Sequence, residues 1–197
     1  MSTIVVVRKN GTACIAADTL TTFGDTRQAA AFDAANDKIF SCAESHIGIV
    51  GSAAHQMVLE SACEQVDTLD LLGRRAIFES FLQLHSVLKE KYFLNPKEDE
   101  DDAYESTQID ALLVNRRGIF GIFSLREVFE YTRFWSIGAG SEFALGAMHA
   151  LYERLETAEE IAKAALAASA EFNSTTALPL TCYSVQLEES QPEVLLT

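Results

Sequence analysis

The sequence predicts an α+β fold in four layers, an αββα sandwich of two β-sheets face to face with a helical layer outside each. Two observations carry this. Segments of strand character and segments with helical stripes follow one another as strands, two helices, strands, two helices and a closing strand, and helices that each hide one apolar stripe pack outside a pair of stacked sheets. The first strand, Ile4-Val5-Val6-Val7, is β-branched without interruption, which calls for cover on both faces. A chain of 197 residues that is 48 % hydrophobic has material for one sizeable core, so residues 1–197 are read as a single domain.

The elements follow in order. Arg8 and Lys9 bring the first strand to the surface, and Asn10-Gly11 supplies the positive φ angles of a two-residue hairpin turn. Ala13 to Ala17 then returns antiparallel, which lands Asp18 near Ser2. Phe23-Gly24-Asp25 marks a turn, and from there to Asn36 no period is clear. Lys38 to Ala43 alternates like a strand, Glu44-Ser45-His46 turns, and Ile47 to Val50 pairs back. Gly51-Ser52-Ala53-Ala54 ends that strand and opens a helix from Ala53 to Val66, with apolar residues at Met57, Leu59, Ala62, Cys63 and Val66. A second helix carries Ile77, Phe78, Phe81, Leu82, Leu84, Val87 and Leu88 around so much of its circumference that it is expected to be largely buried, with Asn95-Pro96 as its stop.

The acidic block Glu98 to Asp102 is read as a solvated loop, because clustered like charges resist burial. Ile109 to Val114 and Ile119 to Leu125 flank Asn115-Arg116-Arg117-Gly118 as a hairpin, and Val128 to Thr132 and Trp135 to Ile137 continue the strands. Gly138-Ala139-Gly140-Ser141 turns into a third helix through Phe143, Leu145, Met148 and Leu151. The capping-box pattern from Thr157 to Glu160 starts a fourth, through Ile161 to about Phe172, and Thr181 to Gln186 closes the sheet.

A net charge of −14 argues against nucleic acid and against anionic membrane surfaces. No apolar run approaches the roughly 20 residues of a membrane span, and the N-terminus lacks the basic-then-apolar pattern of a secretory signal, so a cytoplasmic protein is expected. Cys14, Cys42, Cys63 and Cys182 are scattered without a C-x-x-C spacing and are read as buried thiols, which leaves no metal site or redox motif. His46, His55, His85 and His149 have no evident Ser or Cys partner, so a histidine triad has little support.

The chemistry is sought instead at the start of the chain. A serine at the chain terminus joins a hydroxyl nucleophile to an amine of pKa roughly 7.7–8.0, so the nucleophile brings its own base. Freeing that amine at Ser2 requires removal of Met1, which a side chain as small as serine permits. The run Ser2-Thr3-Ile4-Val5-Val6-Val7-Arg8-Lys9-Asn10-Gly11, followed by Ala16-Ala17-Asp18, resembles the start of mature proteasome β-subunits and of the bacterial HslV peptidase, both N-terminal nucleophile hydrolases, with Ser2 where they carry threonine. Lys38-Ile39 and the strand end Ile47 to Ala54 extend the resemblance, which looks most like the branch called the β-proteobacterial proteasome homologue.

The resemblance implies the αββα fold, a threonine-type peptidase and a site of Ser2, Asp18, Lys38, Gly51, Ser141 and Asn173, without metal or cofactor. An ammonium at Lys38 would favour the neutral Ser2 amine and the developing alkoxide, with Asp18 holding the ammonium. The Gly51 N–H would receive the oxyanion. Thr22, Val50 and Ala53 match positions that bind or shape substrate, and their small size implies an open, apolar pocket. The resemblance also implies stacked homo-oligomeric rings, heptameric in preference to hexameric, a peptide or unfolded-protein substrate and an ATP-driven unfoldase as partner.

Three features depart from the family. Serine lacks the methyl that fixes the threonine rotamer. The family's Gly-Ser-Gly-Ser turn reads Gly138-Ala139-Gly140-Ser141, and Asn173 and Thr176 stand where the family has Asp and Ser. Asn173 is expected to hydrogen-bond the terminal amine without supplying a charge. The loop between Gly24 and Lys38 is also longer than the family's. These departures keep two alternatives open: a catalytically silent ring subunit serving as scaffold or chamber, and an amidase of the same fold acting on a small molecule.

Overall fold

A computed structural model describes residues 2–97 and 100–188. The first hairpin pairs β1 (Thr3–Lys9) with β2 (Thr12–Asp18) in the register Ile4 opposite Ala17 and Val7 opposite Cys14. Its turn holds Asn10 at φ 48° and Gly11 at φ 75°, as the Asn-Gly pair predicts. The segment without a clear period contains a small hairpin, β3 (Thr21–Phe23) with β4 (Thr26–Gln28), and a 3₁₀ turn at Ala30–Phe32. Elements this short leave no readable period.

β5 (Ile39–Cys42) and β6 (Ser45–Val50) follow. The turn between them lies at Ala43-Glu44, both at positive φ, so Ser45 and His46 belong to the strand and not to the expected turn. Next come α1 (Ala53–Gln65) and α2 (Arg74–Lys91). The second helix stops before the expected Asn95-Pro96 brake, because Phe93 adopts the left-handed conformation and Leu94 N–H turns back to the Leu88 carbonyl at 3.0 Å. β7 (Asp110–Asn115), β8 (Gly118–Ile122), β9 (Val128–Tyr131), β10 (Phe134–Gly138), α3 (Ser141–Leu151), α4 (Ala158–Phe172) and β11 (Leu180–Gln186) complete the order. The expected capping box is present, with Thr157 and Glu160 bonding each other's backbone nitrogens.

One sheet has the order β10-β1-β2-β11, the other β5-β6-β7-β8-β9. Side chains alternate across a strand, so β1 serves two cores. Ile4 and Val6 face Leu112, Val114 and Ile119 of the second sheet, while Val5 and Val7 pack on Met148, Ile161, Ala165 and Leu166 of α3 and α4. A third cluster sets Leu59, Ile77, Phe81, Leu84 and Leu88 of α1 and α2 against Ile47, Ile49, Leu113 and Phe120. The layers are therefore α, β, β, α. Packing on both faces buries all of Ile4 to Val7, the cover that the uninterrupted β-branched run requires.

Cys14 and Cys42 are buried and Cys63 and Cys182 half-buried, all as free thiols, with Cys14 and Cys182 in contact across β2 and β11. Of the acidic block, Glu98 and Asp99 lie outside the described residues, as does Met1; Glu100 and Asp101 are exposed. Among the described residues no helix is long and apolar enough to cross a membrane.

Candidate active site

The hairpin delivers Asp18 to the end of β2, beside the start of β1, where its side chain is fully buried. Its Oδ1 accepts the Thr3 backbone N–H at 2.8 Å and the Lys38 ammonium at 2.9 Å, and its Oδ2 accepts the N–H groups of Leu20 at 3.1 Å and Ala177 at 3.4 Å. A buried carboxylate needs such partners, and here they come from four separate stretches of chain. Lys38, directly before β5, also donates to the Leu20 carbonyl at 2.6 Å. Burial pushes the Lys38 ammonium below its ordinary pKa, and the neighbouring Asp18 carboxylate opposes that shift.

Ser2 is held from the other side. Its carbonyl accepts the Ala139 N–H at 2.9 Å, and a Cβ on Gly138, which sits at φ 95°, would come within 1.9 Å of that same oxygen. Only glycine fits there, on grounds of both space and conformation. The next turn residue, Gly140, donates its N–H to Thr3 Oγ1 at 2.9 Å, and Thr3 Oγ1 lies 2.6 Å from Thr176 Oγ1. Ser169 Oγ donates to the Gly140 carbonyl and Asn173 Nδ2 to the Ala139 carbonyl, both at 2.9 Å.

A cleft of about 100 Å³ opens beside Ser2, with Lys38, Gly51 and Ala53 among its walls. Gly51, at φ 117°, ends β6 just before Ser52, whose hydroxyl caps α1. The structure therefore brings Ser2, Asp18, Lys38 and Gly51 together.

Among solved structures, BPH of Thiobacillus denitrificans in complex with epoxomicin aligns with 95 % of this chain and 100 % of its own, at 36 % identity and a TM-score of 0.88. A second structure of that protein gives 37 % identity over 94 % of this chain and 98 % of its own, with a TM-score of 0.87. The chain belongs to the BPH family, the bacterial proteasome homologues. HslV of Trypanosoma brucei, at 19 % identity over 93 % of this chain and 99 % of its own, shares the fold with a TM-score of 0.68. No family model and no curated protein matches the chain. As a BPH-family member the chain is a proteasome-like hydrolase of the proteolytic, N-terminal nucleophile class.

Within this BPH-family chain, several expected site residues take other places. Thr22 and Val50 do not wall the cleft; their strand neighbours Thr21 and Ile49 do, because successive side chains of a strand point to opposite faces. Val50 instead packs on the core between the sheets. Asn173 is not free to serve a terminal amine: its amide nitrogen holds Ala139, and its Oδ1 accepts from Thr175 N, Thr175 Oγ1 and Thr176 Oγ1. Ser141 is the first residue of α3, and among the described residues it has no part in the hydrogen bonds around Ser2 and Thr3.

The cleft is also not the apolar pocket that small residues implied, since Asp33, Asn36, Asp37 and Gln56 line it. Thr3 was missed as a site residue. Its signal was a hydroxyl directly before the apolar run Ile4 to Val7, where a buried polar group must find a partner. His55, one of the histidines without an evident Ser or Cys partner, has a buried Nδ1 that is unpartnered among the described residues, 3.5 Å from where a Cβ on Gly51 would sit.

Proposed function

We propose that this chain is a subunit of a self-compartmentalising peptidase that uses Ser2, freed by removal of Met1, as its N-terminal nucleophile. The observation that carries the reading is the Asp18 carboxylate, which binds the Lys38 ammonium and the amide of the residue joined to Ser2. In this reading Ser2 Oγ attacks the substrate carbonyl carbon while its proton passes through a water to the Ser2 amine, and the Gly51 N–H receives the oxyanion. Collapse of the tetrahedral intermediate breaks the C–N bond, and the proton moves from the Ser2 ammonium to the departing amine. Water then repeats the cycle on the acyl ester, releasing the acid and restoring the hydroxyl.

Lys38 contributes by its field. A positive charge beside Ser2 favours the neutral amine and the developing alkoxide. Family membership supports assembly into homo-oligomeric rings, heptameric in this reading, stacked in pairs in the cytoplasm and fed by an ATP-driven unfoldase. Exposed apolar side chains such as Met57, Phe93 and Phe172 give such an assembly surface to cover.

The test has two steps. Intact mass of natively expressed protein should show loss of Met1. Incubation with epoxomicin, the compound in the BPH complex of Thiobacillus denitrificans, should add one inhibitor mass to Ser2 and none to Ser2→Ala. One observation favours the silent-subunit alternative: Asn173 donates to the Ala139 carbonyl, so an alanine and a neutral amide meet at the turn beside Ser2, where the resemblance implies a serine and an aspartate. Retained Met1, or the absence of any adduct, would select it.

A further inference from the structure

We propose that the cleft beside Ser2 selects a cationic side chain, lysine or arginine, on the residue preceding the cleaved bond, and that Asp33 is the residue deciding this preference. The inference rests on the peptidase reading above and names its substrate class. The cleft holds two carboxylates, Asp33 and Asp37, and one cation, Lys38. The Lys38 charge is already matched by Asp18. Among the described residues Asp37 is hydrogen-bonded by neutral donors: Ile39 N–H at 2.9 Å and Thr181 Oγ1 at 2.8 Å on Oδ1, and the Tyr183 hydroxyl on Oδ2. Those bonds fix its position, no ion pair matches its charge among the described residues, and the His46 imidazole on which that charge acts is pushed by burial towards its neutral form. Asp33 spends Oδ1 on the Ala35 N–H at 2.9 Å, and among the described residues its Oδ2 has no partner.

The rest of the wall supports the assignment. Asn36 Nδ2 donates to the Asp33 carbonyl at 2.8 Å and Gln56 Nε2 to the Asp37 carbonyl at 3.0 Å, so both acidic residues are braced through their backbones. Ile49, 5 % exposed, offers an apolar surface along which an aliphatic stem can lie. Long cationic side chains bury the stem and present the charged head, and a half-buried carboxylate with one free oxygen accepts such a head in a charge-assisted hydrogen bond. The volume, about 100 Å³, is that of a single side chain.

Peptide substrates identical except for Lys, Arg, Leu or Glu before the cleaved bond test this with the Met1-free assembled protein. The expected order of kcat/KM is Lys and Arg above Leu by about tenfold, with Glu lowest. Asp33→Asn should bring the Lys-to-Leu ratio towards one, and raising the salt concentration should raise KM for the Lys peptide more than for the Leu peptide. Asp33→Ser serves should the first variant fail to fold. Equal rates for Lys and Leu in the wild type, or a preference untouched by either variant, would overturn the inference while leaving the peptidase reading intact. No cleavage of any peptide together with no epoxomicin adduct would overturn the peptidase reading, and this inference with it.

Discussion

Asp18 Oδ1 lies 2.9 Å from Lys38 Nζ and 2.8 Å from the Thr3 nitrogen. One oxygen thereby ties the second sheet's first strand to the residue that follows the candidate nucleophile. The position of the cation is set by the same atom that sets the position of Ser2.

Removing one member of this pair should cost more than removing both. Asp18→Asn leaves a largely buried ammonium with neutral carbonyl oxygens and no counter-charge from residue 18, and breaking a buried pair in this way costs about 3–5 kcal/mol. Urea unfolding at fixed protein concentration should show that loss, and Asp18→Asn combined with Lys38→Met should recover part of it. Strictly additive costs would show that the two groups do not act as a pair.

The lowered pKa of Lys38 gives stability a definite pH dependence. Its unfolded value is 10.5 and its folded value lies below that. Between the two values the unfolded chain binds more protons, so the free energy of unfolding from this group rises with pH, and below the folded value the penalty is constant. Wild type minus Lys38→Met should therefore rise with pH over an alkaline window that ends at 10.5. A flat difference would mean that burial does not depress Lys38.

Gly138→Ala should damage the site from the turn. Its Cβ would stand 1.9 Å from the Ser2 carbonyl oxygen on a backbone at φ 95°, so either the turn or Ser2 must move. The expected cost is roughly 1–3 kcal/mol of strain. A shift of about 1 Å at the nucleophile lowers the rate of epoxomicin adduct formation on the order of 10²-fold. Wild-type adduct kinetics would show that Ser2 is not positioned by this turn.

Asn173→Asp separates two roles for that position. If a charge near the Ser2 amine were the missing element, the variant would react faster. The hydrogen bonds predict the reverse: a carboxylate cannot donate to the Ala139 carbonyl, and losing that bond costs about 0.5–1.5 kcal/mol. Thermal unfolding should therefore occur at a lower temperature, with no gain in adduct rate. Faster labelling would overturn the bracing role.

Much of this arrangement was legible in the residues. The Asn10-Gly11 turn and the length of the two strands put Asp18 at the head of the hairpin, since antiparallel pairing through a two-residue loop leaves no choice of register. The β-branched run at Ile4 to Val7 required two covering layers, and two sets of paired helices stood ready to supply the outer ones. Lys38 and Gly51 were legible through the resemblance, because a strand start and a strand end fix a side chain and a backbone N–H to within one residue. The register that turned Thr21 and Ile49 into the cleft, in place of Thr22 and Val50, was not legible, since a shift of one residue reverses every face.

The sequence by itself determined the αββα layers and the first hairpin, because each depends on neighbours close along the chain or on a repeating pattern. Only the tertiary structure decided the partners of Asn173, the hydroxyl contact of Thr3 with Thr176 and the acidic wall at Asp33 and Asp37. Those contacts join residues from distant stretches of the chain. Which polar group meets which depends on how the packed layers bring those stretches side by side.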